Sequence, residues 1–168
     1  RTAGGGTGTV KLFTTIPAAK NDRDGIADHY SFGAIYGGGG LKASAGYESK
    51  TNGTVDEDIM QVGASYTFGM FTVGGNYEST DNFGFANGND YEAWALTGKV
   101  KLGNNTIHAV YTDANEDLGP ALTGWGLGAD HAFSKRTKVY AAYASADVEP
   151  DQGSSDDNDI FSLGMIYN

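Results

Sequence analysis

Between residues 60 and 68 every second side chain is apolar, Met60, Val62, Ala64, Tyr66 and Phe68, while Gln61, Gly63, Ser65 and Thr67 stand between them. A period of two sends the two sets to opposite sides of an extended strand. The same alternation recurs in about ten segments, 7–16, 28–36, 40–49, 58–68, 70–79, 91–102, 105–113, 122–133, 137–146 and 159–168. It is plainest at the end, where Phe161, Leu163, Met165 and Tyr167 alternate with Ser162, Gly164, Ile166 and Asn168. Each segment is close to the ~9–11 residues that a tilted strand needs to cross hydrocarbon, and nothing reads as a helix. The pattern predicts an all-β chain whose strands each separate two unlike surroundings.

The connections alternate as well. Short ones at 37–40, 68–70, 103–104 and 134–136 fall between longer polar stretches at 18–27, 51–57, 80–90, 114–121 and 147–158. Tight turns at one rim and long loops at the other are expected of an antiparallel up-and-down meander spanning a membrane. Aromatic residues mark both rims. Tyr36, Phe68, Phe133 and Tyr167 lie toward the turns, and Tyr30, Tyr47, Tyr77, Trp125, Tyr143 and Phe161 toward the loops. Rings at strand ends suit two girdles at water–lipid boundaries, whereas a soluble core would place them mid-strand.

By the same parity the other face carries Lys11, Lys42, Glu48, Gln61, Asn76, Glu78, Lys99, Lys101, His108, Asp130 and Lys138. A charge facing hydrocarbon near the midplane costs about 2–4 kcal/mol, so confinement of these residues to one parity predicts a water-filled lumen on that side. No stretch approaches the ~20 apolar residues of a spanning helix, but barrel strands do not register in such a count.

Composition narrows the function classes. The 168 residues include 26 Gly and 10 Tyr but no Cys, which removes disulfides, thiolate metal sites and cysteine nucleophiles. A formal charge of -10 argues against nucleic acid, whose binding starts with cationic groups on phosphates. Carboxylates crowd the long loops, most densely at Asp147, Glu149, Asp151, Asp156, Asp157 and Asp159. Basic residues gather at the opposite rim, at Lys99, Lys101, Lys135, Arg136 and Lys138.

Motifs for chemistry are sparse. Residues 21–25, NDRDG, match part of a calcium loop with Asp22 and Asp24 as ligands, although Lys20 occupies the position where a ligand should precede them. No cofactor is expected beyond structural calcium or magnesium at the acidic loops. Glycines at 4–6 and 37–40 are not followed by the helix and Lys of a phosphate loop and suit tight turns instead. His29 follows Asp28, but successive strand side chains face opposite ways, which places the pair poorly for acid–base work.

The run WGLGADHAFSKRTKVY at 125–140, followed by a long loop and the closing FSLGMIYN at 161–168, resembles the C-terminal end of trimeric general porins of Gram-negative bacteria. The hairpin G-A-x-Y-x-F-S-K-R-T recurs in that family, and here His131 stands in place of its Tyr. Weaker likenesses, AGYE at 45–48 and ASYTFG at 64–69, extend over the chain. The resemblance implies a sixteen-stranded barrel of which residues 1–168 form one partial domain, strands seven to sixteen, without the constriction loop. Two features agree with truncation: the chain starts at Arg1, not Met, and stops at Asn168, one residue short of the family's terminal aromatic.

The resemblance further implies passive diffusion of small hydrophilic solutes and ions rather than catalysis. It implies an integral outer-membrane location with acidic loops extracellular and short turns periplasmic, assembly as a homotrimer, and recognition by the barrel-assembly machinery. Its neighbours would be outer-membrane lipid and lipopolysaccharide. Acidic loops beside that lipid would share calcium or magnesium with it, since hard cations prefer carboxylate oxygens, though a solvated acidic surface accounts for them too. The loops favour cations weakly. Two alternatives stay open: a closed ten-stranded barrel acting as an outer-membrane protease or receptor, and a soluble all-β binding protein.

Overall fold

The computed structural model describes residues 8–15, 29–150 and 156–167. It contains ten strands: β1 (Thr9–Thr15), β2 (His29–Gly38), β3 (Leu41–Asn52), β4 (Val55–Phe68), β5 (Phe71–Asp81), β6 (Tyr91–Leu102), β7 (Asn105–Glu116), β8 (Ala121–Ala132), β9 (Thr137–Glu149) and β10 (Asp156–Tyr167). One 3-10 turn, Phe83–Phe85, lies between β5 and β6. Every strand pairs antiparallel with its neighbour in sequence, so one ten-stranded sheet runs in the order β1 to β10. A closed ten-stranded barrel would join β10 to β1, and the described residues hold no such pairing.

At the turn rim the chain reverses within two residues at Gly39-Gly40, Gly69-Met70 and Gly103-Asn104, and within four at 133–136. Gly39 and Gly40 have φ of 57° and 85°, the left-handed pair that matches the twist of a two-residue hairpin. A Cβ on Gly40 would also sit 2.5 Å from the Thr67 carbonyl oxygen, so glycine is required there twice over. Adjacent hairpins are tied by backbone bonds from Thr67 N–H to the Gly40 carbonyl at 2.9 Å and from Ala132 N–H to the Asn104 carbonyl at 2.8 Å.

The opposite rim differs from the sequence expectation. Residues 51–57 are not a loop: β3 and β4 stay paired, Thr51 with Asp56 and Asn52 with Val55, around a two-residue turn at Gly53-Thr54. Gly53 takes the first central position with φ 67°, which suits a tight hairpin turn. The polar composition of this stretch hid the strand, because a hairpin standing in water on both faces has no apolar parity to display. β7 and β9 likewise run on to Glu116 and Glu149, so the β7–β8 connection shrinks to residues 117–120.

Register carries the alternation from strand to strand. Tyr36 faces Ala43, then Ala64, Gly75, Leu96, Tyr111 and Trp125 in one continuous row. One face of the sheet is therefore apolar from β1 to β10 and the other polar. Among the described residues no hydrophobic side chain is buried. Phe161, Leu163 and Met165 are 70%, 73% and 68% exposed. A soluble sandwich would enclose such side chains between two layers. Here they form an open apolar surface.

Candidate functional site

The polar face gathers all eleven side chains predicted for it. Lys11 shares a row with Ser44 and Asn76, Gln61 faces Glu78, Lys99 faces His108, and Lys101 is joined through Thr106 to Asp130. Lys42, Glu48 and Lys138 take the same parity on β3 and β9. The face also holds residues that parity counting had not singled out: His29, Lys50, Glu57, Thr80, Tyr91, Glu116 and Tyr140.

Toward the loop rim these groups form a closed network. Glu48 receives His29 Nε2 at 2.7 Å and Lys50 Nζ at 3.3 Å, and Lys50 also approaches Glu57 at 3.7 Å. Glu57, 8% exposed, accepts the Gly84 N–H at 2.7 Å and so draws the β5–β6 connection, residues 82–90, across the polar face. Asn89 pins the other side. Its amide donates to Glu116 Oε1 at 2.8 Å and to the Phe83 carbonyl at 3.2 Å, and its oxygen accepts the Leu118 N–H at 2.9 Å. The Phe83 ring stacks on Tyr91 at 5.1 Å. Beneath them Thr80 is 2% exposed, the most buried of the polar side chains described. A stretch that reads as a polar loop is thus a brim folded inward over the polar face.

Toward the turn rim the same face is cationic and open. Lys11, Lys42, Lys99, Lys101 and Lys138 have no carboxylate within 4.0 Å among the described residues. Asp130 is the carboxylate on this part of the face, and its Oδ2 is engaged by His108 Nε2 at 2.7 Å.

The apolar face carries the aromatic rows. Tyr30, Tyr36, Tyr47, Phe68, Tyr77, Trp125, Tyr143, Phe161 and Tyr167 all take its parity, and Phe133 follows directly after β8. Register adds Tyr66, Phe71, Trp94 and Tyr111. Neighbouring strands pair their rings, Phe32 with Tyr47 at 5.2 Å, Phe68 with Phe71 at 5.5 Å, Trp94 with Tyr111 at 5.3 Å and Trp125 with Tyr143 at 5.4 Å. Each such pair contributes about 0.5–1.5 kcal/mol beyond the area it covers. His131 also lies on this side, edge-on to Phe133 at 4.6 Å with Nδ1 bonded to Asn105 Oδ1 at 2.7 Å. Beyond the rings at the loop rim stand carboxylates. Asp147 faces Asp157, and the close approach of Asp147 raises the Asp157 carboxyl above the usual range.

The candidate calcium ligands Asp22 and Asp24, and Asp28 of the His29 pair, lie outside the described residues. Among those described, no three His, Asp or Glu side chains converge as a metal site. His29 turns to Glu48, which already holds Lys50, an arrangement suited to anchoring strands.

The profile of the Gram-negative porin family matches residues 3–152. The chain belongs to the Gram-negative porins. As a member it is an integral outer-membrane protein. A porin of Fuscovulum blasticum is 31% identical over 121 residues, 71% of this chain and 39% of the relative. A porin of Rhodobacter capsulatus is 34% identical over 152 residues, 79% of this chain and 49% of the relative. The chain thus spans less than half the length of these two porins. Among solved structures, an anion-selective porin from Comamonas acidovorans superposes with a TM-score of 0.71 at 18% identity, over 83% of this chain and 48% of that one. A porin refined at 1.8 Å resolution matches 99% of this chain and 59% of its own with a TM-score of 0.65, also at 18% identity. These two likenesses establish the barrel fold of the sheet.

Proposed function

We propose that the complete protein is a passive diffusion porin in which this chain supplies strands seven to sixteen of a sixteen-stranded barrel. Its polar face lines the water-filled pore, with Lys11, Lys42, Glu48, Gln61, Asn76, Glu78, Lys99, Lys101, His108, Asp130 and Lys138 in the wall. The aromatic rows sit at the two lipid boundaries. One observation carries the reading: across ten strands the aromatic rows share one exposed face while every lysine on a described strand takes the other, with no enclosed core among the described residues. Only a sheet with hydrocarbon on one side and water on the other is stable in that form.

The loop rim then faces outward and the turn rim the periplasm. Family membership favours a homotrimer assembled by the barrel-assembly machinery, working as a channel for small hydrophilic solutes and ions rather than as an enzyme. Lipopolysaccharide would meet the carboxylates above the outer aromatic row, where calcium or magnesium would relieve pairs such as Asp147 and Asp157. The test is single-channel recording and liposome swelling with the full-length protein. Steady open-pore conductance and sugar permeation are expected, and a barrel that inserts but carries no steady current overturns the reading.

A further inference from the structure

The turn-rim half of the polar face contains a hollow. Thr72, Thr97, Lys99, His108, Asp130 and Tyr140 are set in an otherwise apolar lining that includes Val110 and Leu127, and Gly126, Gly128, Ala142 and Ala144 keep its floor small. Five strands, β5 to β9, meet there. Lys99 is the direct cross-strand partner of His108, Lys101 lies one polar-face position nearer the turn, and Lys138 borders the hollow on β9. The small floor residues leave the lysine ammonium groups unshielded from the water beside them.

Charge around the hollow is unbalanced. Lys99 lines it and Lys101 and Lys138 border it, whereas Asp130 in its lining is already engaged by the imidazole of His108 at 2.7 Å, with only 16% of its side chain exposed. None of Lys99, Lys101 and Lys138 has a carboxylate within 4.0 Å among the described residues. The Thr72 hydroxyl is shared with that of Thr67 at 3.0 Å, and the Tyr140 ring lies over Gly164 of β10. Ammonium groups without a carboxylate partner above a small floor match the chemistry of an oxyanion, for which lysine acts as a point charge.

We propose that this hollow is an anion-docking subsite of the pore wall, taking small solutes that carry a carboxylate or a phosphate group. The inference rests on the pore reading and refines it: the outer rim presents carboxylates to incoming solutes, and the inner wall presents cations. Lys99, Lys101 and Lys138 are the specificity-determining residues. Asp130 is a positioning residue that fixes the His108 ring in the wall of the hollow.

The experiment uses the full-length porin in planar bilayers, with inorganic phosphate in one arm and acetate in the other. Added phosphate or acetate should interrupt the chloride current transiently. In a K99Q/K101Q/K138Q variant the apparent affinity for this block should fall about fivefold for each lysine in contact, the equivalent of ~1 kcal/mol for two unit charges 4 Å apart in water. The ratio of anion to cation permeability should fall with it. Lys99→Glu alone should act in the same direction, and Lys99→Arg should retain the block. Block by phosphate with none by acetate confines the subsite to phosphates; the converse confines it to carboxylates. A conducting wild type that neither anion interrupts overturns the subsite, as does block equally strong in the triple variant. Absence of any steady conductance in the wild type overturns the pore reading instead.

Discussion

The two ends of the polar face are ordered by different means. At the loop rim, side chains hold the backbone: Glu57 and Asn89 grip the brim at residues 82–90, and Glu48 binds both His29 and Lys50. At the turn rim, backbone holds backbone through two-residue reversals and bonds such as Thr67 N–H to the Gly40 carbonyl. The difference has an electrostatic result. Charges used as fasteners are neutralised by their partners, whereas a rim closed by peptide groups leaves its lysines without carboxylate partners among the described residues and open to solvent.

Substitutions that strike the fasteners should therefore affect structure, and those at the turn-rim lysines should affect transport. The largest effect is expected from Asn89→Ala, which leaves a backbone N–H, a carbonyl and the Glu116 carboxylate without their partner in a site 5% exposed. A local loss of about 3 kcal/mol is expected, seen as rapid hydrogen exchange and proteolysis confined to residues 82–90. Unchanged protection there would break the contrast. Next comes Gly40→Ala. A side chain at φ 85° against the Thr67 carbonyl should lower stability by about 1–2 kcal/mol in urea unfolding from micelles. Glu57→Gln keeps the shape but weakens the bond to Gly84 N–H and the contact with Lys50, for about 1 kcal/mol, measurable by the same exchange experiment.

Lys101→Ala sharpens the contrast from the other side. Its unfolding midpoint should stay within ~0.5 kcal/mol of the parent, while reversal potentials in a salt gradient shift toward cations. A stability loss comparable to that of Glu57→Gln would show Lys101 to be a fastener after all. The smallest effect belongs to Asp157→Asn. The Asp157 carboxyl is held above its ordinary range by Asp147, so in the folded protein this pair is favourable at low pH and becomes repulsive as pH rises through the raised value. The amide should slow hydrogen exchange at the start of β10 at neutral pH and leave it unchanged in acid.

Most of the sheet was legible because a period of two survives wherever one flank meets hydrocarbon. Met60 to Phe68 and Phe161 to Tyr167 display it without help from neighbours, and that was enough to tell which eleven polar side chains share one face. The hairpin at Gly53-Thr54 was not legible, since the strand there is polar on both flanks. Nor was the brim. Glu57, Asn89 and Glu116 come from three distant points of the chain, and no local pattern announces that they will meet. The Asn-Gly at 52–53 was the one available signal for the first, because Gly suits the sharp reversal of a tight hairpin. The hollow at Lys99 was half visible: parity gave the face, but only register shows which rungs stand opposite.

Among the described residues every strand pairs only with the strands immediately before and after it in sequence. Such a ribbon has no keystone. A wall with that connectivity grows by whole hairpins, and because the diameter of a barrel rises roughly in step with strand number, girth becomes a quantity that duplication or loss of a two-strand unit adjusts without redesigning any other part.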